Sequence, residues 1–195
     1  EDYKEFVAIV DRQIERMNLI VQELRLLSSG ETLQLDEFFP YKVVAEILSE
    51  FDQRIREKKL QVRIYFENQD FCVLADKVLM KQAISNVIHN ALRYSNEGEL
   101  VEIVLKKDKL SVKNYGVAIA AEDLEKIFEP FYCVDKSRSK KLGGSGLGLA
   151  ITREIIEEHG FSIIARSQEN RHEKIFTEFV ICFGGGKDER VDTKS

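Results

Sequence analysis

Residues 142–149, LGGSGLGL, constrain the fold of this chain more than any other segment. Five of the seven residues from 142 to 148 are glycine or serine, which offer too little side chain for core packing. Glycine lets the backbone approach a ligand closely and adopt positive φ angles. Residues 150–158 then repeat apolar side chains at helical spacing, which predicts a helix directly after the turn. Such a helix start presents free N–H groups and the positive end of the helix dipole, so we expect an anion site, most simply for phosphate. The alternative is a flexible linker.

Two common phosphate loops are excluded, because the segment has neither the GxxxxGK[ST] pattern nor a GxGxxG after a strand. The preceding residues carry a run of cations that includes Lys136 and Arg138. A charge run is usually solvated, but beside a phosphate loop it is better interpreted as a lid that reaches for terminal phosphates.

Composition narrows the function classes. The net charge of −5 over 195 residues argues against a nucleic-acid partner. The three cysteines lie far apart, which fits reduced thiols in the cytoplasm. There is no apolar run of about 18 residues, the length needed to span a membrane. The first residue is Glu1, so we expect a piece of a longer parent, anchored in the cell membrane outside this segment.

The chain divides into three parts. Residues 1–30 predict one amphipathic helix with a seam close to a heptad repeat, followed by residues 31–184 as a folded domain. Residues 185–195 have almost no apolar content and are expected to be disordered. Within the domain, periodicity predicts helices over 39–59, 77–94 and 121–128, and strands over 60–66, 71–74, 99–105, 110–115, 161–166 and 174–183. Asp76 is the expected N-cap of the second helix.

That second helix carries an unusual polar stripe. Asn86 and Asn90 stand four residues apart, and Arg93 and Tyr94 follow. Asparagine is unfavourable in the middle of a helix, because its side chain competes for backbone hydrogen bonds. Two aligned amides near a cation favour oxygen ligands for a hard metal ion plus a phosphate contact. The alternative is a pair of solvated surface amides.

These features occur in the order of the four sequence boxes of sensor histidine kinases: Asn86 and Asn90, the turn from Asn114 to Gly116, the Phe128 and Phe131 pair, and the glycines of residues 144–148. The chain resembles the catalytic, ATP-binding domain of that family, which belongs with gyrase B, Hsp90 and MutL. The resemblance implies an α/β fold: a two-layer sandwich of a mixed, mostly antiparallel sheet of about five strands, with three helices on one face (the Bergerat type) and the N-terminal helix projecting from it. Residues 1–30 are similar to the second helix of the hairpin that dimerises and carries the phosphoacceptor.

The resemblance also implies roles. Asn90 would bind Mg²⁺, Asn114 and Thr177 would hold adenine, and the lid would cover the bound ATP. Response-regulator and homodimer partners are implied for the parent. The residues that the resemblance assigns to the nucleotide are Asn86, Asn90, Arg93, Tyr94, Asn114, Gly116, Ile119, Phe131, Lys136, Arg138, Gly144, Gly146, Leu147, Gly148 and Thr177.

Several positions depart from the family pattern. Asn114 stands where an aspartate is usual, so its amide oxygen can accept from adenine without a charge, and we expect weaker ATP binding. Cys133 replaces a common arginine, and Phe176 replaces the glycine before the closing threonine. None of His89, His159 and His172 lies in the context of a phosphoacceptor. The segment therefore resembles the ATP-binding part of a histidine kinase and lacks the phosphoacceptor histidine.

Two alternatives stay open on sequence alone. One is a degenerate kinase that acts as a nucleotide-responsive interaction module. The other is an ATPase clamp that hydrolyses ATP with water, which would need a glutamate just ahead of Asn90 where Asn86 stands.

Overall fold

A computed structural model describes residues 33–134, 146–168 and 174–184 of the chain. The predicted helix in residues 1–30, the cationic lid segment with Lys136, Arg138 and Gly144, and the tail at 185–195 lie outside the described residues.

A five-stranded sheet forms one layer of the domain. Its strands are β2 (Gln61–Phe66), β4 (Leu100–Lys106), β5 (Lys109–Tyr115), β6 (Ser162–Gln168) and β7 (Phe176–Cys182). They lie side by side in the order β2-β4-β5-β7-β6, with β2 parallel to β4 and every other neighbouring pair antiparallel. The predicted mixed, mostly antiparallel sheet is confirmed.

Helices form the second layer, on one face of the sheet. They are α1 (Pro40–Glu50), α2 (Asp52–Glu57), α3 (Lys77–Tyr94) and α4 (Gly148–Glu158). Alternate residues of β4 and β5 are buried beneath them, as the pleat requires for a sheet covered on one side. The core therefore lies between α3, α4 and the central strands.

Two predicted helices are wrong in form. The helix expected over 39–59 breaks at Phe51, which ends α1 outside the helical region at φ −96° and ψ 7°. There its ring stacks on the imidazole of His89 in α3 at 5.3 Å, a long-range contact that periodicity cannot reveal. The helix expected over 121–128 is instead two short 3₁₀ turns, Ala121–Asp123 and Lys126–Phe128. Pro130 holds the preceding residue in the extended region, so no helix continues.

A second sheet of two strands was not predicted. In it, β1 (Leu35–Phe38) pairs antiparallel with β3 (Val73–Asp76), so that β2 and β3 do not pair with each other. Helical periodicity also predicts Val78 on the inner face of α3, which is wrong, because this residue is 76% exposed. Met80, Ile84 and Ile88 fill the core instead.

Both ends of α3 are held by side chains. At the start, Oδ1 of Asp76 accepts hydrogen bonds from the backbone N–H of Val78 and Leu79 at 3.0 and 3.1 Å, so the predicted N-cap is confirmed. At the end, Nζ of Lys58 donates to the backbone oxygens of Leu92, Arg93 and Ser95, at 2.8, 2.9 and 2.7 Å. A cation there complements the negative end of the helix dipole. The polar stripe of α3 is thus mounted on a firmly positioned helix.

Candidate functional site

The first asparagine of the α3 stripe joins the two main helices. Nδ2 of Asn86 donates to the backbone oxygen of Gly148, at 3.1 Å, and to Oγ1 of Thr152, at 3.3 Å. The hydroxyl of Thr152 donates to the same Gly148 oxygen at 2.8 Å. Asn86 is therefore bonded within the protein and aligns α3 with the start of α4.

The second asparagine is differently placed. Asn90 lies one turn further along α3, is half-buried, and its amide has no hydrogen-bond partner among the described residues. An uncommitted amide oxygen beside a committed one is a suitable ligand for a hard cation.

Arg93 brings a buried positive charge to the same stripe. Its side chain is only 9% exposed, and its Nε and Nη2 have no hydrogen-bond partner in the described part of the chain. Its guanidinium contacts the ring of Tyr94, 5.5 Å from the ring centroid. A buried cation without an anion is costly, so this arrangement favours an anionic ligand next to α3.

His89 completes that face of α3 but is structural. Nη1 of Arg54 lies 2.9 Å from His89 Nε2, and a guanidinium can only donate, so Nε2 accepts and the imidazole proton sits on Nδ1. Burial, together with the charges of Arg54 and Arg93, lowers the pKa of His89 to about 4. These contacts give His89 a structural role.

The start of α4 has no side-chain cap. Leu147 is the N-cap residue, is fully buried, and makes no side-chain hydrogen bond to the first turn. Among the described residues no capping side chain satisfies the N–H groups of that turn, which suits them to bind an anion. The predicted helix start after the glycine-rich turn is confirmed, although α4 begins at Gly148 rather than at residue 150.

The two flanks of the lid segment meet each other. The backbone N–H of Phe131 donates to the oxygen of Gly146 at 3.0 Å. Gly146 has φ +75°, and a Cβ at this position would lie 2.9 Å from the carbonyl carbon of Phe131 and 3.1 Å from Sγ of Cys133. Only glycine fits there. The Phe131 ring is 63% exposed.

A polar row crosses the helix-facing side of the sheet. Asn114 on β5 is paired with Thr177 on β7, which is paired with Ser167 on β6. Asn114 is 1% exposed and Thr177 is 4% exposed. In the neighbouring row the same strands place Val112 and Phe179, so polarity begins where the apolar core ends.

The hydroxyls of this row are occupied. Thr177 Oγ1 donates to the oxygen of Val117, at 3.0 Å, and Ser167 Oγ donates to the oxygen of Phe176, at 2.8 Å. Ser167 Oγ also accepts from the backbone N–H of Ile119 at 2.9 Å. These bonds tie the segment after β5 to the end of the sheet.

Gly116 brings the end of β5 against the end of α3. Ser95 and Gly116 form an isolated bridge, and a Cβ at Gly116 would lie 2.0 Å from the backbone oxygen of Tyr94. The polar stripe and the polar row therefore meet at this corner.

The structure assembles the predicted residues in two groups around that corner. The first group lies on α3 or at the start of α4 and consists of Asn86, Asn90, Arg93, Tyr94, Leu147 and Gly148. The second group lies at the ends of β5 and β7 and just after β5, and consists of Asn114, Gly116, Ile119 and Thr177. Phe131 and Gly146 flank the lid segment, whereas Lys136, Arg138 and Gly144 fall outside the described residues. Ser167 was missed, because only the strand register places it opposite Thr177.

Comparison with known proteins decides the family. Residues 75–183 match the model of the "Histidine kinase-, DNA gyrase B-, and HSP90-like ATPase" family. The chain belongs to this ATPase family. Membership implies that the domain binds ATP, and the match includes both the polar stripe and the polar row.

Curated relatives of this ATPase-family domain are sensor kinases. It is 34% identical over 175 residues to sensor histidine kinase WalK of Bacillus subtilis, covering 85% of this chain and 29% of the relative. A match to sensor protein kinase WalK of Staphylococcus saprophyticus is 32% identical and covers 88% of this chain and 30% of that protein. The chain thus spans less than a third of these relatives' length.

Solved structures of histidine kinases are similar to this domain. The catalytic domain of histidine kinase ThkA is 31% identical, with a TM-score of 0.61 and coverage of 77% of this chain and 96% of that chain. The domain is therefore a catalytic domain of the sensor histidine kinase type, with the expected α/β sandwich. ThkA has also been solved in complex with response regulator protein TrrA, in a structure with a TM-score of 0.70 and 29% identity that covers 95% of this chain and 52% of that one. In the part of the chain that the structure describes, no helix is both long and apolar enough to cross a membrane.

Proposed function

We propose that this domain binds Mg-ATP and transfers the γ-phosphoryl group to a histidine of the longer kinase, for relay to a response-regulator aspartate. The observation that carries the proposal is the buried guanidinium of Arg93, whose Nε and Nη2 have no hydrogen-bond partner among the described residues. It lies on the same helix as the amide of Asn90, and α4, whose first turn has no side-chain cap, packs against that helix. Together they offer one cation, one oxygen ligand and a set of N–H donors, which is what a polyphosphate with its metal requires.

Each of the site residues would have its own role in binding Mg-ATP. Asn90 would supply an amide oxygen to Mg²⁺, whose charge neutralises the phosphates when it is bound. Arg93 and the N–H groups of α4 would orient the phosphate chain, and Asn114 with Thr177 would hold the base. Lys136 and Arg138 would contact the γ-phosphate. Catalysis would then consist mainly of positioning and charge stabilisation.

The partners follow from the same proposal. Residues 1–30 would form the second helix of a hairpin that makes the parent a homodimer, and residues 185–195 would be a disordered tail. The phosphoacceptor histidine would lie outside this segment, and the parent would be anchored in the membrane with this domain in the cytoplasm. The WalK relatives and the ThkA–TrrA complex support this assignment over a module that only senses nucleotide.

The test is calorimetric titration with a non-hydrolysable ATP analogue, with and without Mg²⁺, for the native chain and for Asn90→Ala. We expect Mg²⁺ to tighten binding of the native chain, and the variant to lose about tenfold or more in affinity with Mg²⁺, a change worth about 1.4 kcal/mol. Asn68→Ala, in the exposed turn after β2, is the control. No binding by the folded native chain would refute the proposal. If it binds, transfer to an added acceptor hairpin tests the kinase step.

A further inference from the structure

Asn114 is a buried amide with an unused donor. Its side chain is 1% exposed, and its Nδ2 has no hydrogen-bond partner among the described residues. A buried N–H without a hydrogen-bond partner is unfavourable, because it has lost its bonds to water and gained none in the protein. Such a cost is offset when a ligand atom accepts the bond, so Asn114 points to a ligand acceptor.

No other side chain in the polar row has a donor to spare. The hydroxyl protons of Thr177 and Ser167 go to the backbone oxygens of Val117 and Phe176, and the two hydroxyl oxygens lie 3.2 Å apart. Each hydroxyl carries a single proton. Asn114 is therefore the one side chain of the row that can both donate to and accept from a base.

Purines with an amino group at position 6 and purines with an oxo group there present opposite hydrogen-bonding patterns at the edge formed by position 6 and N1. Adenine carries a donor at its 6-amino group and an acceptor at N1, whereas hypoxanthine carries an acceptor at its 6-oxo group and a donor at N1. An amide holds one acceptor and two donors, and a half-turn about its terminal bond exchanges them. A carboxylate only accepts, so it pairs with the amino group of adenine, whereas on hypoxanthine it can pair only with N1–H and faces the lone pairs of the oxo group.

We propose that Asn114 relaxes the base specificity of this site, so that it takes a purine nucleotide with either an amino or an oxo group at position 6. ATP and ITP would both bind. The inference rests on the proposed function, since it requires the base to lie against the polar row.

The experiment compares ATP and ITP by calorimetry in Mg²⁺ for the native chain, for Asn114→Asp and for the control Asn68→Asp. The control adds the same charge at an exposed turn position. We expect the native chain and the control to bind ITP within about tenfold of ATP. The Asn114→Asp variant should keep or tighten ATP binding and lose about tenfold in ITP affinity, because its carboxylate can still accept from N1–H but faces the lone pairs of the oxo group.

The native chain alone can overturn the inference. If it binds ATP but prefers ATP over ITP by about a hundredfold or more, the base tolerance is wrong and the proposed function stands. If it binds neither nucleotide while folded, both proposals fail. This comparison needs no variant, so misfolding of Asn114→Asp would not leave the question undecided.

Discussion

Nδ2 of Asn86 donates to the backbone oxygen of Gly148 at 3.1 Å and so joins the middle of α3 to the first residue of α4. These residues are 62 positions apart in the sequence. The bond aligns the polar stripe of α3 with the uncapped start of α4. Through its Nδ2, Asn86 thus connects the two helices that carry the other candidate phosphate-binding groups.

Replacing Asn86 with alanine should loosen this connection without unfolding the domain. Thr152 would still donate to the Gly148 oxygen, so we expect a loss of only about 1 kcal/mol in the free energy of unfolding. Urea denaturation measures it, with Gln61→Ala on the exposed edge strand β2 as the control. A loss equal to that of the control would contradict the connector role. The affinity for the ATP analogue should fall together with stability, because the alignment of α3 and α4 is disturbed.

Loss of the cap that Lys58 forms at the end of α3 should lower the free energy of unfolding more than the Asn86 substitution does. Lys58→Met keeps the aliphatic stem but removes three hydrogen bonds from the ammonium group to the end of α3. We expect a loss of about 2 kcal/mol in the free energy of unfolding, the range for hydrogen bonds to a charged group. The neighbouring Lys59→Met is the control, because it removes only an exposed ion pair with Glu97 and should cause no measurable loss. Equal thermal midpoints for the two variants would refute the capping role.

A substitution at Gly116 tests whether close packing is needed at the corner where the polar stripe and the polar row meet. Gly116→Ala would place a Cβ 2.0 Å from the backbone oxygen of Tyr94, which neither strand nor helix can relieve without moving. We expect about 3 kcal/mol of destabilisation and loss of analogue binding. Gly98→Ala is the comparison, since its φ of +77° is strained for alanine but nothing lies within 4 Å; it should cost about 1 kcal/mol. If Gly98→Ala were the more damaging change, close packing would not explain Gly116.

His89 predicts a pH dependence. Its folded-state pKa of about 4 is below the ordinary value of 6.5. Between these values the unfolded chain binds a proton that the folded chain does not, so stability falls as pH drops from 6.5 to 4. Over this window His89 should account for about 3 kcal/mol. Stability curves for the native chain and His89→Gln should therefore converge toward acid pH, since glutamine does not titrate. Parallel curves would show that His89 is not held neutral.

Local patterns predicted the parts of the site that depend on neighbours in sequence. The cap at Asp76 and the four-residue spacing of Asn86 and Asn90 are properties of a single helix, so periodicity was sufficient. The family resemblance added the order of the motifs along the chain. The same reasoning located the helix start after the glycine-rich turn to within two residues.

What the sequence could not predict depends on pairing between distant segments. Strand β1 has only four residues, three of them exposed, and it exists because β3 pairs with it. A helix that looks continuous in the sequence breaks at Phe51, the residue that stacks on His89 from a distant segment. Ser167 became relevant only when strand register placed it beside Thr177. The burial of Arg93 likewise follows from packing and not from its type, since arginine is usually exposed.

The position of β7 determines when this domain can begin to work during synthesis. It is the last of the described strands along the chain, yet it lies between β5 and β6 rather than at an edge. A nascent chain on the ribosome therefore cannot close its sheet until Phe176–Cys182 has emerged. Thr177 is synthesised with that strand, so a chain that stops short of it lacks both the strand that joins β5 to β6 and the middle residue of the polar row. Nucleotide binding should thus report completion of the whole domain.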